Sequence, residues 1–162
     1  LDQEWTLEYC VWFLERTPVY AATRDEGSAV SRASRIVDAL SRSHHRSSKV
    51  GMLCLALTGQ SDPAIIRAVE KIERENPSAE VQGQASLAIA MMLKGLGDNP
   101  EVMGRRISHL RSAIIKAHEV EVGDTTVSKL AMDEIFIIQN LTKGRKKNQN
   151  HPSCPFSSPS SY

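Results

Sequence analysis

A chain of 162 residues, 41% hydrophobic and 24% charged, has the size and composition of one globular domain with a substantial core. Its formal net charge of +1 is uneven: four of the 20 basic residues and none of the 19 acidic ones lie in 143–162. That leaves residues 1–142 at −3, with no electrostatic reason to bind nucleic acid, and no apolar run reaches the roughly 20 residues that a bilayer span needs.

The chain opens on Leu1 and reads as helix from about Asp2 to Arg16, as a fragment or a processed product would, and no signal peptide is visible. Trp5, Tyr9 and Phe13 recur at i, i+4 and i+8, with Trp12 beside them, so their rings line one helical face. That face fits either core packing or a docking surface for a partner. Thr17-Pro18 stops the helix, because proline disfavours helical backbone in the residue before it.

A linker over 17–27 leads to a second helix from Ser28 to about Ser43, with Val30, Ala33, Val37 and Leu40 as its apolar seam. Ser43 to Ser48 reads as a polar turn. A third helix covers about Ser48 to Thr58 and is ended by Gly59. Asp62-Pro63 is a cap-and-proline start for a fourth, which Asn76-Pro77 ends at about Glu75. The fifth runs from about Ala79 to Leu96, with Val81, Ala85, Ile89, Met92 and Leu96 along one side. Asn99-Pro100-Glu101 opens the sixth, which reaches about Val120. Gly123-Asp124-Thr125-Thr126 is a turn, and a seventh helix spans about Ser128 to Leu141.

These seven segments predict an all-α fold. The starts at Ser28, Asp62 and Asn99 are 34 and 37 residues apart, which suggests stacked helical hairpins of the tetratricopeptide or HEAT sort. Residues 1–142 are expected to form this helical array. Residues 143–162, basic and then rich in proline and serine, are expected to be disordered because they bury too little to offset their ordering entropy.

The chain offers little that carries chemistry. Cys10, Cys54 and Cys154 are widely spaced, without a C-x-x-C pair; the first two lie on apolar helix faces, where a thiol acts as a small hydrophobe, although a disulfide between them stays open. His109 and His118 are nine residues apart, out of phase on one helix, and His44-His45 falls in a turn that reads as solvated. Glu70, Glu73, Glu75 and Glu80 surround the Asn76-Pro77 turn and read as an exposed acidic face. No phosphate loop, nucleophile elbow or H-E-x-x-H motif occurs. Asn140-Leu141-Thr142 is a formal glycosylation triplet, a pattern common by chance. No catalytic, cofactor-binding or metal-binding residue is assigned, and the expectation is a non-enzyme. The candidate docking face is Trp5, Tyr9, Trp12 and Phe13; if a partner normally covers it, its exposure allows a homo-oligomer.

Three stretches, Val11–Pro18, Asn76–Ala90 and Glu134–Gly144, together resemble the helical region that precedes the catalytic domain in bacterial redoxin proteins of the TlpA-like, thioredoxin-fold type. The resemblance implies an accessory scaffold or interaction domain, with a thioredoxin-fold domain in cis or another protein as its partner, and a cell-envelope location. It also implies an alternative, the truncated front half of a thiol–disulfide oxidoreductase. The chain departs from that pattern after Gly144, where Arg145-Lys146-Lys147-Asn148 and a Pro/Ser tail follow and no W-C-x-x-C appears, so no catalytic residue carries over. A further alternative is weak binding of an anionic surface by the basic tail, although no aromatic residue interleaves with its charges.

Overall fold

The computed structural model describes residues 3, 5–16, 37, 39–59 and 62–148, with backbone only for Phe13, Glu15, Arg16 and 141–148. The described residues form six α-helices: α1 (Thr6–Arg16), α2 (Val50–Ala56), α3 (Pro63–Glu75), α4 (Ala79–Lys94), α5 (Pro100–Lys116) and α6 (Val127–Asn148). A π-helical turn covers Leu40–His44, and strands β1 (Glu121–Val122) and β2 (Thr125–Thr126) pair antiparallel. The fold is mostly helical, as expected, with one small hairpin added. Most of the expected second helix lies outside the described residues; its end, at Val37, Ala39 and the π-helical turn, is helical.

The helix starts follow from local chemistry. The side chain of Asp62 accepts from the Ala64 amide, that of Ser78 from Val81 and that of Asn99 from Val102. Pro63 and Pro100 occupy the first turns of α3 and α5, where an amide hydrogen would have no helical partner. Asn76 closes α3 and also ties the turn to the chain before α2. Its side-chain amide donates to the carbonyls of His45 (2.8 Å) and Ser47 (2.9 Å), and its Oδ1 accepts from the Ser78 amide.

Several boundaries differ from the sequence reading. Helix α4 stops at Lys94, so Leu96 lies past its end and is exposed rather than part of the apolar stripe. Helix α5 stops at Lys116, and the chain then forms the β1–β2 hairpin around Gly123, whose φ of 61° suits a two-residue loop with glycine at its first position. Helix α6 continues past its expected end at about Leu141 to Asn148.

Packing centres on α4, which contacts α2, α3, α5 and α6; α1 lies on α2, and α6 on α5. Buried residues form two groups that meet at α4. Leu7, Leu40, Leu53, Val69, Ile72 and Ile89 belong to the first, and Leu87, Leu110, Ala113, Val127 and Ile138 to the second. Helix α4 is buried on nearly every side. Its Gly83 explains how α5 comes so close: a Cβ there would lie 2.5 Å from the Ala117 Cβ and 2.8 Å from the Ala117 amide nitrogen.

Candidate functional site

Trp5, in the turn that leads into α1, and Tyr9 and Trp12, on α1, stand outside both cores. Leu7 and Cys10 are buried and Val11 and Leu14 pack beside them, which fixes the inner face of the helix. Trp5, Tyr9 and Trp12 point away, with exposures of 62%, 66% and 56%. The core-packing alternative therefore does not hold for these three. The Trp5 and Tyr9 rings meet edge to face, with centroids 5.7 Å apart and planes at 83°, a favoured aromatic geometry. The Phe13 side chain lies outside the described residues. Beside the stripe, exposed Glu8 lies 3.9 Å from Lys49, a weak surface pair.

The thiols are placed as hydrophobes. Cys10 and Cys54 are free and buried. Burial pushes the Cys54 thiol up to about 12 and raises Cys10 as well, opposite to what a reactive thiolate requires. Cys10 shares a shallow, mostly apolar cleft with His44, lined also by Leu7, Leu40 and Leu53. His44 is buried, a correction to the expected solvated turn. Cys154 lies outside the described residues.

A polar cluster that the sequence reading missed links α3, α4 and α5. Ser86 Oγ donates to Glu73 Oε1 (2.5 Å), and His109 Nδ1 lies 3.0 Å from the same oxygen. Ser112 Oγ is 3.0 Å from Ser86 Oγ. Burial opposes ionisation of Glu73, but the His109 and Ser86 hydrogen bonds and the nearby His109 and Lys116 charges outweigh it, holding the carboxyl below its ordinary 4.5. An ionised carboxylate only accepts, so His109 presents Nδ1–H to it. Glu73 is thus not part of an exposed acidic face. The order of groups also differs from a hydrolase triad: the carboxylate stands between serine and histidine, so the Ser86 hydroxyl donates to Glu73 and not to an imidazole. The cluster clasps three helices, assisted by Glu70–Arg105 at 3.2 Å.

That geometry sets an acid dependence. Because the folded carboxyl titrates below its unfolded value, its contribution is complete above pH 4.5 and is lost as pH falls through the lower, folded value. Replacing Glu73 by Gln should cost about 1–2 kcal/mol at neutral pH, with the difference from wild type shrinking below pH 4.5 in urea melts. An unchanged difference across that range would show that Glu73 is not ionised in the fold.

A second polar group lies at the C-terminal end of α4. Glu134 receives Lys94 Nζ at 2.7 Å and Arg106 Nη2 at 2.9 Å. Arg106 is 2% exposed, and its Nε has no hydrogen-bond partner among the described protein atoms. No group of three or more His, Cys, Asp or Glu side chains among the described residues could hold a metal ion. No helix among them is long and apolar enough to cross a membrane.

No protein-family model, curated protein or solved structure matches the chain. The redoxin resemblance therefore rests on the three stretches that suggested it, and the geometry above is the basis for a functional reading.

Proposed function

We propose that the chain is a non-catalytic helical module that presents the aromatic stripe of α1 to a protein partner. One observation carries this: three large aromatic side chains, each more than half exposed, line the start and outer side of a helix whose opposite face is anchored in the core. Tryptophan and tyrosine are enriched at binding hot spots because they bury much area with few rotatable bonds. An exposed aromatic cluster of this kind marks an interaction surface in preference to a random surface. We read the successive helix pairs as stacked hairpins that hold α1 at one end. The partner suggested by the redoxin resemblance is a thioredoxin-fold domain joined in cis or another protein.

The test is a variant carrying Trp5→Ser, Tyr9→Ser and Trp12→Ser. It should keep the helical circular dichroism of the parent and lose at least tenfold in affinity for a partner that the parent binds. Unchanged affinity in a folded variant would contradict the reading.

A further inference from the structure

We infer that the partner of the α1 stripe is a second copy of this chain, bound through α1 about a twofold axis; this rests on the docking reading above.

Area supports it first. A tryptophan or tyrosine side chain buries about 150–250 Å². At the observed exposures, the three rings offer on the order of 350 Å². Two such faces supply about 700 Å² of apolar area. In interfaces where apolar surface is about 57% of the total, that corresponds to roughly 1,200 Å², the lower edge of specific association. One stripe meeting a polar surface would supply half as much apolar area.

Pattern supports it independently. Positions 5, 9 and 12 are nearly symmetric about the middle of the stripe. An antiparallel copy of α1 therefore sets Trp5 of one chain beside Trp12 of the other, in both directions at once. Tyr9 then meets its own counterpart beside the axis. This is the self-complementarity that an isologous dimer needs. Glu8, the charged side chain nearest the stripe centre, has Lys49 alongside to offset it. A second exposed apolar set among the described residues, Met132, Phe136 and Ile137 on α6, has no comparable aromatic content.

Both tryptophans of the chain are in the stripe, so tryptophan emission reports on this face alone. In sedimentation of the full chain, the 17.9 kDa monomer should give way to twice that mass, with a dissociation constant in the micromolar range. Over the same concentrations, emission should shift to the blue and acrylamide quenching should fall. Tyr9→Lys should raise the dissociation constant at least tenfold, because it sets like charges face to face. Tyr9→Glu should do the same. Mixing the two variants should restore a dimer, since residue 9 faces residue 9.

A chain that stays monomeric at about 200 μM, a concentration well above micromolar dissociation constants, with both tryptophans freely quenched, would overturn the second-copy inference and leave the docking reading standing. A monomer with shielded tryptophans would overturn both, because its own chain would then cover the stripe. A dimer that survives Tyr9→Lys would overturn the inference by placing the contact elsewhere.

Discussion

Replacing Glu134 by Ala is expected to destabilise the fold by about 3–5 kcal/mol, a large part of the roughly 5–15 kcal/mol that holds a domain together. The loss comes from Arg106. Its side chain is 3% exposed, and its close ionic partner is the Glu134 carboxylate at 2.9 Å, with Asp98 more distant at 3.9 Å. Removing the carboxylate leaves a guanidinium buried without adequate compensation, which costs far more than the pair contributes on balance. Lys94 is half exposed and can turn back to water, so it adds little to the loss. The double variant Arg106→Met, Glu134→Leu should then be near neutral or more stable than wild type. It removes two desolvated charges together with the orphan Nε. Urea melts of the single and double variants test this. A single variant costing under about 1 kcal/mol would show that water reaches the pair.

Two alanine substitutions in helices should have opposite signs. Gly104 has open space around it within α5, so Gly104→Ala should gain up to about 1 kcal/mol from helix propensity and a stiffer unfolded chain. The same change at Gly83 gains the same propensity and meets Ala117. The clash includes a backbone nitrogen at 2.8 Å, which cannot move aside as a flexible side chain would. Overpacking of this kind costs about 1–3 kcal/mol and separates α4 from the end of α5, so Gly83→Ala should be destabilising overall. Melting temperatures of the two variants should move in opposite directions from wild type. If both rise, the α4–α5 approach is looser than described.

How much of this was legible in the sequence depended on range. Starts and stops were legible because they are local: Asp62-Pro63, Asn76-Pro77 and Asn99-Pro100 each combine a capping side chain with a proline in adjacent positions. The β1–β2 hairpin had a local signal too, Gly123-Asp124 between Val122 and Thr125, but it is only two residues long on each side and reads equally well as a turn. The outward face of α1 was not legible. The helix is apolar on both sides, with Leu7, Cys10, Val11 and Leu14 opposite Trp5, Tyr9 and Trp12, so pattern alone cannot say which side α2 covers. Glu73 and His109 are 36 residues apart and Arg106 and Glu134 are 28 apart, so nothing nearby in sequence announces either pair. Gly83 carried a weak signal, a helix-breaking residue kept within a strong helical stretch, which points to close approach of another backbone.

The central claim is that Trp5, Tyr9 and Trp12 form a surface and not a core, and thermal melting of the triple serine variant tests it most directly. Exposed side chains contribute little to folding, and the Trp5–Tyr9 ring contact adds roughly 0.5–1.5 kcal/mol, so the melting temperature should fall by no more than about 5 °C. A variant that fails to fold, or melts more than about 15 °C lower, would contradict the account, because truncating three core aromatics costs roughly 3–5 kcal/mol each.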